Sequence, residues 1–372
     1  MRSMSKKIIS DDIASLLLGS CLSLPPASGL GYIILPLATD SQTAAVRYAR
    51  AVCLYFGAAW CVAASAYASG ASLWLALAVQ CLYAALMAAP ALLPGPQWLR
   101  GVMLLVLPSL PPFAYWLPLP PLAGAGWLFP GMGYAGVAVY VGMALAIVGC
   151  RNAGGKAPQA MMALLIVATV LAAGLNLHAY WHPPRGVAGW QGLQFRSAAP
   201  VPQTFEDAAQ AMIGLADVVR GSSMPVIVAP ENWLGTLPLA AMRSLRAALQ
   251  PGQHLLVGGI HMHDGTLRKG VWHLPEGTFT PAIAPIPFIE PYPADYARTG
   301  SAIDVAGEPA SLLVCFEAST SLPLYHLHYG TPVILVANGW WDTLGALSIQ
   351  RSVARSWARL FASPLLTSEA RP

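Results

Sequence analysis

A chain of 372 residues that is 56% hydrophobic and only 10% charged departs from soluble domains, in which about a quarter of residues are charged, and reads as a membrane protein. The net charge of +4 is mild and no basic run is interleaved with aromatics, which excludes direct nucleic-acid binding as a reading. The charge is unevenly placed. Up to His178 the only acids are Asp11, Asp12 and Asp40, and all others follow Gln191, so a membrane region, 1–180, precedes a region of ordinary polarity, 181–372.

Charges, glycines and prolines divide the first region into apolar segments at about 12–24, 28–39, 48–67, 72–93, 100–117, 129–149 and 157–178, measured against the roughly 20 residues a membrane helix needs. The first two are short, each about 20 Å of helix against a roughly 30 Å hydrocarbon core. A single span kinked at Pro25-Pro26 is their alternative. Counting both as crossings puts Arg2, Lys6, Lys7, Arg47, Arg50, Arg100, Arg151 and Lys156 on one side, as the positive-inside rule requires. Seven crossings with a cytoplasmic N-terminus then carry everything after His178 out of the cytoplasm. A cleavable signal peptide fits the start less well, because Asp11-Asp12 precede the apolar run and no small-x-small site follows it. Gln80 and Tyr83, beside Cys81, read as groups that hydrogen-bond across helices, with a functional polar patch as the alternative. The prolines at 108, 111, 112, 118, 120 and 121 forbid a regular helix throughout 107–121, so this stretch is expected to be a broken span leading into an outer loop.

The second region alternates. Strands are expected at 187–195, 225–229, 254–260, 271–274, 310–314 and 332–337, and helices at 206–219, 239–249 and 348–362. That order indicates an α/β layered domain, in which sites gather where strands end. Glu231, Cys315 and Asn338 all occupy such ends. Cys315 is the only cysteine after Cys150, which leaves it packing or chemistry as its use; Glu231 ending an earlier apolar strand in the same way raises the case for chemistry. His261-x-His263-Asp264 reads as a polar strand end, since no third ligand is nearby. No metal or cofactor is expected. Trp340-Trp341 suit an acyl-chain contact, the lipid interface or simple packing.

The order strand-Pro230-Glu231, strand-Cys315-x-Glu317, strand-Asn338-x-x-Trp341, then a helix containing Ala354-Arg355 and ending in Pro364-Leu365-Leu366, resembles the carbon-nitrogen hydrolase (nitrilase) superfamily. With the spans ahead of it, the chain is similar to the membrane branch typified by apolipoprotein N-acyltransferases, and within it to conjugal-transfer proteins. Gln191-Gly192 and Pro287-Phe288-Ile289-Glu290 agree as well. The resemblance implies an α-β-β-α sandwich behind a multi-span helical region, in a bacterial inner membrane with the sandwich on the periplasmic side. It also implies a cysteine thiolate that takes an acyl group, a glutamate base and a lysine that stabilises the oxyanion. Carried over, Cys315 is the nucleophile and Glu231 the base. Glu290 is a secondary acid, Glu317 orients the cysteine, and Asn338 flanks the site. A membrane lipid or lipoprotein-like acyl donor and the conjugation machinery are the implied partners.

Three departures stand against that. The lysine's place, five residues before Pro-Phe-x-Glu, holds Ala282, and Lys269 is the only lysine between Glu231 and Cys315. Asp264-Gly265 suggests a hairpin turn, where Lys269 has water as its ordinary surroundings and the site as its alternative. If the chemistry is that of the family, Lys269 is the catalytic cation expected to replace the missing side chain, a compact ammonium suiting an oxyanion better than Arg268 or Arg298, the other candidates. Leu360 stands where the acyltransferase has a glutamate, and the chain stops at Pro372 where the family continues, so the sandwich is expected to be truncated at its C-terminus with an open sheet edge. These departures define the second reading, a catalytically degenerate nitrilase-fold scaffold that binds an envelope or mating-apparatus partner.

Overall fold

The computed structural model describes Ile33, Pro36 and residues 43–68, 70–152, 157–196, 204–235, 239–263, 265–286, 290, 292–294, 302–339, 342 and 346–371. The segment expected at 12–24 lies outside these residues, as does 28–39 apart from Ile33 and Pro36. The chain divides into two compact units: Met1–Pro183 with Arg351–Ala362, and Pro184–Gln350 with Ser363–Pro372.

The helical unit contains α1 (Ala44–Ala58), α2 (Trp60–Ala68), α3 (Leu73–Ala88), α4 (Gln97–Val106), α5 (Gly133–Asn152) and α6 (Ala157–Trp181). Among the described residues, three stretches are long and apolar enough to cross a membrane: Leu73–Leu92, Gly133–Cys150 and Pro158–Trp181. A fourth is counted if α1 and α2, bent by 51° at their junction, form one span. Only 11% of the most apolar window of α6 is buried, and Met162, Leu164, Ile166, Val167 and Val170 are all exposed. A helix apolar all round and uncovered by protein suits lipid, not water. The stretch expected at 100–117 is broken where its prolines begin: α4 stops at Val106, and a 3-10 turn at Leu107–Ser109 and a one-turn helix at Phe113–Trp116 follow. Pro108, Pro111 and Pro112 remove donors and clash with the preceding turn, and ten residues of α4 cover only about 15 Å. Gln80 donates to the Phe56 carbonyl at 2.6 Å and Tyr83 to that of Pro118 at 2.6 Å, so these polar groups tie helices together.

The second unit is built on two five-stranded sheets. Its elements are β1 (Trp190–Gly192), β2 (Gln194–Arg196), α7 (Phe205–Gly221), β3 (Val226–Val228), α8 (Leu239–Ala248), β4 (His254–His263), β5 (Thr266–Leu274), β6 (Thr278–Pro281), β7 (Ala302–Val305), β8 (Glu308–Val314), β9 (Val333–Asn338), α9 (Ala346–Leu360) and β10 (Leu365–Arg371). One sheet runs β1-β3-β4-β5-β6 and the other β2-β10-β9-β8-β7. Val226, Val228, Leu256 and Val271 of the first pack against Leu312, Val314, Ile334 and Val336 of the second. The sheets therefore lie face to face. Alternation supplies the other face: Ile227, Leu255, Val257 and Trp272 point away from that interface and bury Leu215, Val219, Met242 and Leu245 of α7 and α8. Thr204 begins α7 with a reciprocal capping box to Asp207.

The strand expected at 187–195 is two. Leu193 interrupts it, its N–H donating to Val228 in one sheet while its carbonyl accepts from Glu369 in the other, so one short stretch feeds both sheets. β10 is an inner strand, paired in parallel with β2 and β9. It was not expected from the sequence, nor were β6 and β7. The last turns of α9 group with the helical unit, where Ser356 donates to the Ala123 carbonyl and Arg359 to Asn176 at 2.6 Å. Gly126 allows this approach, since a Cβ there would meet the Ser356 carbonyl oxygen at 1.8 Å.

Candidate functional site

Three strands of the second unit deliver the candidate side chains. β3 ends in Ala229-Pro230 and a turn that begins at Glu231, with Asn232 in the left-handed region at φ 51°. The turn lies hard against β4: a Cβ on Gly258 would sit 2.5 Å from the Glu231 Cα. Trp233, stacked on Phe195 at 4.2 Å, packs the turn from its other end. β8 ends in Cys315, which opens a 3-10 turn, Cys315–Ser319, at φ 48°. Left-handed backbone at a non-glycine residue costs on the order of 1 kcal/mol or more and turns the side chain sharply out of the strand.

Glu317 holds this bend. Fully buried, it accepts the Val314 N–H at 2.8 Å on one oxygen and the Ile283 and Ala284 N–H groups on the other, the latter at 3.1 Å. Burial pushes its carboxyl above the usual range, against the pull of those three N–H groups. Gln350, at the start of α9, donates to the Cys315 carbonyl. Nothing in the sequence singled out Gln350, because its role depends on a helix packing against a bend more than thirty residues earlier.

Lys269 is where the solvated-hairpin reading fails. The hairpin itself is present, β4 and β5 pairing antiparallel from Leu255↔Leu274 to His263↔Thr266, but Lys269 is only 2% exposed. Its Nζ lies 2.8 Å from Glu231 Oε1 and 2.6 Å from Glu290 Oε1, and it donates to the second Glu290 oxygen at 2.8 Å. An ammonium is tolerated in such a place only when opposed by carboxylates. Ala282, the residue after β6, donates its N–H to the Lys269 carbonyl at 2.8 Å, continuing the Gly270↔Pro281 register so that the two residues stand opposite each other. Directly opposed residues of an antiparallel pair project to one face. Lys269 and Ala282 thus lie on one face.

The electrostatics follow from burial. Glu231 is pushed above the usual carboxylate range by burial, with Lys269 opposing. For Lys269 burial works downward, but Glu231 and Glu290 outweigh it and hold the ammonium well above its ordinary value. Burial, then the charge of Glu231, pushes the Cys315 thiol well up. Tyr292 is likewise raised by burial and by Glu290. The site therefore gathers a buried thiol, Glu231 and Glu290 round the Lys269 side chain, which lies 2.8 Å from Glu231 and 2.6 Å from Glu290.

Of the sequence candidates, Cys315, Glu231, Lys269 and Glu290 come together and Glu317 braces the cysteine. Asn338 ends β9, buried, two residues past Val336, which pairs with Val314. Pro287, Phe288, Ile289, Arg298, Trp340 and Trp341 lie outside the described residues. His261 packs edge-on against Trp272 at 4.5 Å, which places its ring among aromatics.

No family model matches the chain. It is similar to the conjugal transfer protein TraB of Agrobacterium fabrum (strain C58 / ATCC 33970), at 26% identity over 291 residues. That alignment takes in 71% of this chain and 64% of TraB, so the chain spans somewhat less than two thirds of that protein.

Proposed function

We propose that this is a membrane protein of conjugal transfer whose second unit is a nitrilase-type domain moving an acyl group through a thioester on Cys315. The observation that carries the reading is the Lys269–Glu231 ion pair, 2.8 Å long and buried, on a carboxylate whose charge helps to push the Cys315 thiol up. When an acyl donor enters, the sulfur attacks its carbonyl carbon while Glu231 takes the thiol proton. The negative charge on the carbonyl oxygen is met by the Lys269 ammonium, a compact point charge. Collapse breaks the bond to the leaving amine or alkoxide, which takes the proton back from Glu231. An amine or water then attacks the thioester, Glu231 accepting its proton and returning it to the sulfur. We place the protein in the bacterial inner membrane as a multi-pass protein, with this domain on the periplasmic side, within reach of a lipid or lipoprotein-like donor and of the conjugation machinery.

The test is formation of the acyl-enzyme. Detergent-purified protein is incubated with an activated ester such as a p-nitrophenyl ester, and intact mass is read. One acyl group should add to wild type and none to Cys315→Ser or Glu231→Gln. Equal acylation of Cys315→Ser would end the catalytic reading.

The departures at Ala282 and Leu360 favour a second reading, a scaffold that binds a mating-apparatus partner. Mating frequency separates the two. Full transfer by both Cys315→Ala and Glu231→Gln alleles supports the scaffold, and loss by both supports catalysis.

A further inference from the structure

The β4–β5 hairpin carries Lys269 and then runs on beyond its neighbours. The register of β3 on β4 ends at Val228↔Leu256 and that of β6 on β5 at Gly270↔Pro281, whereas β4 and β5 pair with each other out to His263↔Thr266. Residues 261–268 thus form a two-stranded ribbon. Its side chains alternate between two faces. One face continues the row of Val257 and Trp272, with His261 opposite Arg268. The other continues the row of Val271, with Ile260 opposite Lys269 and Met262 opposite Leu267. Along that second face cover gives way: Val271 and Lys269 are buried, while Leu267 and Met262 are 47% and 55% exposed. Those two stand one same-face step, about 7 Å, beyond Lys269 and Ile260.

A single exposed leucine or methionine is ordinary. Here two large apolar side chains oppose each other directly, on the face from which Lys269 meets Glu231 and Glu290, while the pair on the reverse face, His261 and Arg268, is polar. Among the described residues, the other directions along the sheet are closed. Toward its interior lie Val271 and Leu256, packed in the core of the sandwich. To one side the turn after β3 leans on β4, the Gly235 carbonyl accepting the Ile260 N–H at 2.9 Å. To the other, Ala282 is buried and bonded to the Lys269 carbonyl. A carbonyl group brought to Lys269 therefore has room for a long substituent along the ribbon, over Met262 and Leu267. Leucine offers that substituent no hydrogen bond and a thioether only a weak acceptor, so an apolar group suits the place. The unbranched, polarizable methionine side chain adapts to apolar partners of differing shape. The hydrocarbon chain of an acyl donor meets these demands.

We infer that Met262 and Leu267 bind the hydrocarbon chain of the acyl donor and set a preference for long acyl groups. This rests on the thioester reading of Cys315, and the experiment keeps the two apart. Full-length protein in one non-ionic detergent is acylated with p-nitrophenyl acetate and with p-nitrophenyl octanoate. The rate of mass gain is followed for each and referred to the ester free in the aqueous phase. Wild type should acylate at least about tenfold faster with octanoate, a small part of the roughly fourfold per methylene that full burial gives. Met262→Ser and Leu267→Ser should each lower the octanoate-to-acetate ratio about threefold or more, and Met262→Leu should keep it. Met224→Ser, an exposed apolar position before the start of β3, should keep it as well. Should Met262→Ser not fold, Leu267→Ser and the two esters on wild type still decide. The inference is overturned, with the thioester reading intact, if acetate acylates wild-type Cys315 and octanoate does so no faster, or if both serine variants keep the wild-type ratio. It is overturned too if those variants slow both esters alike, because the ribbon then seats on the bilayer or on a partner protein and not on the chain. Acylation by neither ester ends the thioester reading itself, and this inference with it.

Discussion

Replacing Lys269 by methionine keeps most of the side-chain volume and removes the charge. Because Lys269 is 1% exposed at its side chain, Glu231 3% and Glu290 17%, water screens this group little, and the loss leaves two carboxylates facing each other without a cation. Breaking a buried pair from one side costs about 3–5 kcal/mol. On the proposed mechanism the same change also removes the oxyanion's counter-charge, worth about 3 kcal/mol or a hundredfold or more in rate. Two measurements are needed. Thermal unfolding should show the destabilisation, and Lys269→Met with Glu231→Gln should recover part of it, because the second change removes one stranded charge. Acylation of Cys315, followed by intact mass, should fall at least a hundredfold in the single variant. If Lys269→Met melts with wild type and acylates at its rate, the ion pair plays no part in stability or in the site, and the case for Lys269 replacing a residue at 282 collapses.

Glu231→Gln should separate two kinds of reactivity: acylation falls by about a hundredfold or more with the base gone, while alkylation by iodoacetamide at fixed alkaline pH speeds up, because the charge that holds the thiol up has been removed. In wild type, the alkylation midpoint should lie above the ordinary thiol value of about 8.5; a midpoint at or below it contradicts the burial of Cys315. Glu317→Ala strands three buried N–H groups at about 1–3 kcal/mol each, so unfolding should shift by on the order of 3 kcal/mol or more, and an unchanged midpoint would show that the bend holds itself. Alkaline phosphatase fused after Gln194 should be active and a fusion near Lys156 silent; the opposite pattern overturns the orientation proposed for the second unit.

The α/β alternation was legible because apolar runs such as 310–314 and 332–337 end in polar residues, and buried parallel strands leave that pattern. β6, β7 and β10 were not. Thr278–Pro281 and Ala302–Val305 are four residues each, too short for a period, and Leu365–Arg371 carries Thr367, Ser368, Glu369 and Arg371, which read as polar chain. Ser368 is tolerated in the core because its single hydroxyl proton has the Leu193 and Val228 carbonyls within reach as acceptors, a partnership across nearly the whole unit that no local pattern encodes. At the site, strand ends pointed to Glu231 and Cys315. Lys269 was ambiguous for a physical reason: its hairpin turn is local information, but its burial depends on Glu290, whose carboxylate reaches back across 21 residues.

The pH behaviour of the pair bears on why such a cluster is kept. Lys269 is held above its ordinary value, so its contribution to stability is complete below about pH 10.4, the unfolded lysine value, and is lost as pH rises through the folded one. Glu231 is also raised, so between about pH 4.3 and its folded value the native state binds more protons than the unfolded chain. Stability therefore falls as pH rises through that window. Near neutrality the ion pair is not an optimum for folding: an apolar pair of similar volume would hold β3 to β5 without the desolvation that pushes Glu231 up. A fold that needed only cohesion there has no use for a buried ammonium, two carboxylates and a thiol on a left-handed bend. Groups whose ionisation is strained by burial and by one another are the material of acid-base and nucleophilic sites. Acylation measured from pH 5 to 10 should therefore rise as Glu231 loses its proton and level off, whereas stability declines through the same window. A stability curve rising through that window instead would mean that Glu231 is stabilised by Lys269 more than burial penalises it, and the strain on which this argument rests would be absent.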